Sequence, residues 1–153
     1  MMCDVRDGAP YLAEVHSLIQ AYLTELGEDL SFQALEAERS DLAQMYGAPR
    51  GALCVVVCDQ RVVGCGALRT LAPGVAEMKR VYVQPSHRGL GLGHRLVQAL
   101  EALARNRGDQ RIVLDTLERL EHANRLYEKY GYRVCEPYYA NPIADARFYQ
   151  KAL

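Results

Sequence analysis

The run Val81-Tyr82-Val83-Gln84-Pro85-Ser86-His87-Arg88-Gly89-Leu90-Gly91-Leu92-Gly93-His94 marks the point where one kind of structure gives way to another. A strand-like segment stops at Pro85, a glycine-rich turn follows, and an amphipathic helix leaves the turn directly. Glycine at positions 89, 91 and 93 keeps side chains out of the way, so backbone N–H groups can approach a ligand closely. The helix start adds unpaired N–H groups and the positive end of a dipole, which together favour an anion such as pyrophosphate. Arg88 contributes a fixed charge and a planar donor fork suited to phosphate. His94 closes the turn at the edge of this anion site, as a solvated first-turn residue.

The turn is not a dinucleotide fingerprint, because G-x-G-x-x-G requires glycine where His94 stands. Nor is it a nucleotide P-loop, since no Gly-Lys-Ser/Thr closes it. Ser86 lacks the G-x-S-x-G setting of a serine hydrolase. What the residues do present is Arg88-x-x-Gly91-x-Gly93 behind a strand. This resembles the pyrophosphate signature of the GNAT superfamily, the acyl-CoA-dependent N-acetyltransferases.

With 153 residues, half of them hydrophobic, the chain is long enough for one domain with a full core. A net charge of −1 argues against nucleic-acid binding through a global positive field, so any anion site must be local. Asp4, Arg6 and Asp7 interrupt the N-terminus before a signal-peptide core forms, and no apolar run approaches a membrane span. The five cysteines are odd in number and form no C-x-x-C pair. They point to a reduced, cytoplasmic chain, with Cys54, Cys58 and Cys65 as small buried hydrophobes. The four histidines show no metal-like spacing, and no metal is expected.

Hydrophobic periodicity outlines the remaining elements. Cys3 to Arg6 reads as a short strand and Pro10 to Gly27 as a helix. Ser31 is placed to cap a second helix over Phe32 to Tyr46. Strands follow over Ala52–Cys58, Arg61–Leu71 and Ala76–Val83, joined by turns at Asp59-Gln60 and Pro73-Gly74. A helix from Leu92 to Arg107, a strand Arg111–Thr116, a helix Glu121–Tyr130, a strand Tyr132–Cys135, an aromatic loop and a strand Ala146–Lys151 complete the chain. The order β-α-α-β-β-β-α-β-α-β-β predicts an α/β (α+β) fold. Hairpins make the early strands antiparallel, and the crossover from Val83 to Arg111 makes one parallel pair. The result is a mixed sheet of six or seven strands with helices on both faces. It resembles the GNAT fold over nearly the whole chain, residues 1–153 as one N-acetyltransferase domain.

The resemblance extends to the residues that carry chemistry. Asn124 and Tyr127 share a helix face, within a stretch from Leu114 to Tyr132 that looks like the second GNAT signature. By that likeness Asn124 hydrogen-bonds the pantetheine arm and Tyr127 protonates the departing thiolate. A phenol is a sensible donor to a thiolate near neutral pH. Glu77 resembles the glutamate that takes the amine proton, directly or through water, in many members. By the two-residue period, Glu77, Lys79, Val81 and Val83 share one face of their strand. The likeness also places a bulge there that frees an N–H near Val81 to Val83 to polarise the thioester carbonyl.

The cofactor site is therefore expected at Val81, Tyr82, Val83, Arg88, Gly89, Leu90, Gly91, Leu92, Gly93, His94 and Asn124, with acetyl-CoA as co-substrate. Asp29, Phe32, Tyr138, Tyr139 and Asn141 fall in the segments that flank the acceptor cleft in similar proteins. The expected acceptor is a small primary amine or amino acid, attacking the thioester directly. Nucleic acid and membrane are not expected partners. Many family members pair, which brings a homodimer into view. The rival reading from another class is an acyl-CoA-binding sensor without catalysis.

Overall fold

The computed structural model describes residues 1–30, 38 and 41–153. Strand β1 (Cys3–Asp7) leads through a 3-10 turn into helix α1 (Leu12–Leu26). A short helix α2 (Leu42–Tyr46) precedes the antiparallel strands β2 (Gly51–Cys58), β3 (Arg61–Ala72) and β4 (Val75–Val83). After the glycine turn come α3 (Leu92–Asn106), β5 (Arg111–Leu117), α4 (Glu121–Lys129), β6 (Arg133–Cys135) and β7 (Ala146–Ala152). The strands form one seven-stranded sheet in the order β1-β2-β3-β4-β5-β7-β6, with β4 and β5 its parallel pair. The mixed α/β sheet is thus as expected. No helix among the described residues is long and apolar enough to cross a membrane.

Each face of the sheet has its own core. Val15, Leu18 and Ile19 of α1 pack with Leu42 and Tyr46 of α2 on Val55, Val57, Ala67 and Tyr82. On the other face, Leu92, Leu96, Val97 and Leu100 of α3 and Tyr127 of α4 cover Val56, Leu68, Met78 and Leu114. Gly27 ends α1 in the left-handed conformation, at φ 69°, which glycine adopts without steric penalty. Asp59 and Gln60, both at positive φ, form the tight turn between β2 and β3.

Three expectations need correction. The helix over Phe32–Tyr46 is not continuous at its C-terminal end. Asp41 leaves helical geometry and caps α2, its Oδ1 accepting the Gln44 N–H at 3.0 Å; Ser31 and Phe32 lie outside the described residues. Cys58 is not a free thiol: it is disulfide-bonded to Cys3, so the cysteines are not all reduced. The two stand directly opposite each other in the β1–β2 register, with Cα atoms 4.1 Å apart. No sequence spacing encodes a pair that only strand register brings together. Cys54 and Cys65 are buried and free, as expected, while Cys135 is free and half-buried.

The third correction concerns β4. Cys65 pairs with Tyr82 but Ala67 pairs with Lys79, so β4 spends one residue more than β3 between those points. The bulge falls at Arg80, whose φ is 59°. The extra residue inverts the alternation. Val81 and Val83 pack with the α3 core, while Glu77 faces the opposite side. The four residues do not share a face.

Backbone crowding makes Gly51 a sensitive position of the fold. A Cβ on Gly51 would sit 2.8 Å from Tyr46 Cα and against the Leu68 carbonyl oxygen, whereas a Cβ on Gly66 meets the movable Leu100 Cδ1 at 2.8 Å. Gly51→Ala is therefore expected to destabilise the protein by about 2–3 kcal/mol, and by more than Gly66→Ala. Urea denaturation of both variants measures the difference.

Candidate active site

Pairing between β4 and β5 covers only Val75–Glu77 against Arg111–Val113. Beyond Glu77 the two strands part, and the edge of β4 that faces β5 has no strand partner. Its backbone donors and acceptors open on a cleft. The walls are Tyr22, Leu26 and Leu30 on the α1 side, Met78–Val81 of β4, Asp115–Leu117 of β5, Leu120, Ala123 and Tyr127 around α4, and Asn141 and Ile143 from the loop after β6.

The bulge sits on this wall. A non-glycine residue at positive φ is unfavourable and persists only where its surroundings hold it. Here the hold is a buried fork. Arg80 Nε and Nη2 donate to the two Glu38 carboxylate oxygens, both at 3.0 Å, and the Tyr46 hydroxyl donates to Glu38 at 2.8 Å. The Cys65 thiol donates to the Arg80 carbonyl at 3.3 Å. Burial alone would raise the Glu38 carboxyl, but the Arg80 fork and the Tyr46 hydroxyl outweigh it and hold it below the usual carboxylate range.

In the turn after β4, Gly89 and Gly91 have φ of 82° and 74°, and a Cβ on either would meet nothing within 4 Å. They are there for backbone conformation. Gly93 differs, because its Cβ would lie 3.4 Å from Leu126 of α4. Gly91 caps α3 without a side-chain hydrogen bond, so the N–H groups of Leu92, Gly93 and His94 point outward unpaired, as the first turn of any helix leaves them. Leu90 is exposed.

Other expected cofactor residues are placed differently. Arg88 is not presented to the turn. Its Nε donates to the Val83 carbonyl at 2.9 Å, and its two terminal nitrogens grip Glu25 at 2.8 and 2.9 Å. The Glu25 carboxylate, supplied by α1, takes the fork expected for phosphate. The Tyr82 side chain faces α1, where its hydroxyl donates to Glu25 at 2.9 Å and its ring stands edge-on to Tyr22. His94 packs on Tyr130, with Nδ1 3.3 Å from the hydroxyl.

Asn124 is buried. Its amide nitrogen donates to the Leu117 and Glu118 carbonyls at 3.0 and 3.3 Å, which leaves Oδ1 without a partner among the described residues. A buried acceptor with no donor is costly unless a ligand supplies one. A pantetheine amide N–H is such a donor. With the unpaired N–H groups of the turn, the residues fit acetyl-CoA.

Tyr127 lines the cleft, its ring against Tyr132 and Tyr149. Among the described residues its hydroxyl has no hydrogen-bond partner. Burial pushes the phenol well above the ordinary tyrosine range, so it keeps its proton at any physiological pH.

Glu77 is buried but is not on the cleft wall. It accepts from Arg69 Nε and from the Tyr138 hydroxyl, each at 2.6 Å, rather than pairing with Lys79 or Arg80. The carboxylate that does face the cleft is Asp115, which accepts from the Tyr139 hydroxyl and, at 3.0 Å, from Asn141 Nδ2. Tyr138, Tyr139 and Phe148 form a cluster of ring contacts behind these carboxylates. Asp29 is exposed on the connector after α1, and Phe32 lies outside the described residues. Asp115 and Lys79 are site residues that sequence reasoning missed. A lone carboxylate in the apolar strand Arg111–Leu117 was the available signal, the same one that singled out Glu77. Among the described residues no cluster of His, Cys, Asp and Glu could hold a metal ion.

Comparison with known proteins agrees with this architecture. The model of the acetyltransferase (GNAT) family matches residues 12–132. A Schizosaccharomyces pombe protein named as an uncharacterized N-acetyltransferase is 41% identical over 137 residues, covering 88% of this chain and 83% of its own length. A Klebsiella pneumoniae structure assigned as an acyl-CoA N-acyltransferase is 34% identical, with a TM-score of 0.79 over 99% of this chain and 98% of its own. A Streptococcus agalactiae acetyltransferase reaches a TM-score of 0.82 at 26% identity, over 99% of this chain and 98% of its own.

The buried fork has a pH signature. A carboxyl held low in the folded state stabilises fully above its unfolded value, about 4.3, and stops doing so as pH falls through the lower folded value. Glu38→Gln is expected to cost about 3–5 kcal/mol at pH 7, because it leaves Arg80 buried without its counter-charge. It should also flatten the acid limb of stability against pH. Chemical denaturation of both proteins from pH 7 down to about pH 3 tests this.

Proposed function

The chain belongs to the GNAT acetyltransferase family and is an acetyl-CoA-dependent acyltransferase; on that premise we propose that it transfers the acetyl group to the nitrogen of a small primary amine, by direct attack while both substrates are bound. The whole chain acts as one N-acetyltransferase domain. The observation that carries this reading is the cleft itself. A protonated, unpartnered phenol, a carboxylate and an unpaired strand edge converge on it from three elements.

The pyrophosphate rests on the N–H groups of Gly89 to His94, and Arg88 fixes the turn to α1 and β4 rather than gripping phosphate. The pantetheine arm lies along the open edge of β4, with an amide N–H donated to Asn124 Oδ1. An N–H at the Arg80–Val81 bulge polarises the thioester carbonyl, and such preorganised donors are often the largest catalytic contribution. The neutral amine attacks the carbonyl carbon. As the C–N bond forms, the nitrogen becomes acidic and Asp115 receives its proton. As the C–S bond breaks, Tyr127 gives its proton to sulfur, so free CoA leaves as the thiol. Glu77 acts at one remove, because Arg69 and Tyr138 occupy both of its oxygens; it holds the tyrosine cluster against which Asp115 is set.

Thiol release from acetyl-CoA over a panel of amines tests the activity. Tyr127→Phe is expected to lower kcat by about 10- to 100-fold with little change in the KM for acetyl-CoA, and equal turnover would remove Tyr127 from the mechanism. Asp115→Asn is expected to lose about 100-fold in kcat, and Glu77→Gln to lower thermal stability more than it alters the pH–rate profile. The reverse pattern would return the base role to Glu77.

A further inference from the structure

On β3, on β4 and in the turn after β4, arginines are answered by carboxylates. Arg69 is paired with Glu77, Arg80 with Glu38 and Arg88 with Glu25. Lys79 stands on β4 beside Arg80 and lines the cleft, yet among the described residues its ammonium makes no hydrogen bond and no ion pair. It is half-buried, and burial together with the Arg80 guanidinium holds it below the ordinary lysine range. Glu77 and Asp115 attract it without bonding to it, which leaves its N–H donors for an anion that enters the cleft.

Asp115 lies across the gap, on β5, in the same cleft. The two strands therefore present opposite charges to whatever occupies the space between them. A plain alkylammonium would be attracted by Asp115 and repelled by Lys79. An amine that carries its own carboxylate satisfies both. A lone lysine is a point charge, without the arginine fork or backbone nest that a dianionic phosphate recruits.

We infer that the acceptor is a zwitterion, an amino acid or a compound like one, whose carboxylate is held by Lys79 while its nitrogen lies at Asp115 beside the thioester carbonyl. The inference rests on the acetyl-transfer reading above and narrows its substrate class. Lys79 sets specificity; it takes no part in bond making.

The test measures thiol release from acetyl-CoA with matched acceptors: amino acids of several chain lengths, their decarboxylated amines and an aminoalkyl phosphate. Wild type, Lys79→Met and Lys79→Arg are compared. In the wild type an amino acid is expected to exceed its decarboxylated partner in kcat/KM by about tenfold or more, the scale of one charge-assisted hydrogen bond. In Lys79→Met this ratio should collapse towards one, through the acceptor KM rather than kcat. Lys79→Arg should keep much of it. Taking the ratio in each protein cancels the differing basicity of the amines. An equal ratio in all three proteins would overturn the inference. So would a preference for the aminoalkyl phosphate, or acetylation of Lys79 itself detected by mass. Failure of every acceptor in the panel to release thiol would overturn the acetyl-transfer reading. Release that ignores the carboxylate would overturn the zwitterion alone.

Discussion

Arg80 is held in a left-handed backbone conformation by a carboxylate from another segment of the chain, and the working edge of β4 follows from that hold. Left to itself, a strand alternates its side chains and spends its N–H and C=O groups on its neighbours. One extra residue at Arg80 breaks both habits. It returns Val81 and Val83 to the α3 core and leaves Glu77 and Arg80 on the side of α1 and α2. A buried ion pair is seldom retained for net stability, because the desolvation of two charges offsets much of their attraction. Here the pair sits where it selects one backbone geometry over the regular one. That is what a strained residue at a working site requires.

Beyond Glu77 β4 and β5 no longer pair, and different groups line each of them. Parallel strands joined by a helix need that helix to start beyond the end of the first strand, and Pro85 with the glycine turn ends β4 abruptly. On the other side, Tyr138, Tyr139 and Phe148 occupy the space beside β5 and take the hydroxyl contacts to Glu77 and Asp115. The strands stay paired over three residues, and past them Tyr138 and Tyr139 each donate to a carboxylate, one on β4 and one on β5. The opening is therefore part of the native packing.

Periodicity and turn chemistry made the element order readable, because each helix and strand carries its own signal over seven or more residues in most cases. The glycine turn and the Asn124–Tyr127 pair were legible for the same reason: their spacing is local. What escaped was everything decided by register. The Cys3–Cys58 pair joins residues 55 apart in sequence, and it exists because β1 and β2 align at those positions. The period of two placed Val81 on the face of Glu77 because a bulge has no composition of its own. Arg88 was assigned to phosphate on its chemistry, which is sound for a guanidinium, but Glu25 lies 63 residues earlier on α1 and no local pattern announces it. Asp115 carried the same signal as Glu77, a charge in an apolar strand, and only the direction of the cleft distinguishes them.

The tyrosines show most plainly why residue type alone underdetermines a site. The chain has ten of them and no tryptophan. Tyr46, Tyr138 and Tyr139 each donate to a carboxylate, which fixes the phenol as a strut and ties its proton to that acceptor. Tyr127 is equally enclosed by rings, yet its hydroxyl meets no acceptor among the described residues and looks into the cleft. Burial raises the Tyr46, Tyr127 and Tyr138 phenols in the same direction, so the contrast does not depend on acidity. A phenol already donating has no proton to offer a leaving group without breaking that bond, while one that donates to nothing has its proton in hand. A spare proton alone does not mark the acid, since the Tyr132 hydroxyl also lacks a partner among the described residues; Tyr127 adds to it a place on the cleft wall, and both are properties of the folded chain.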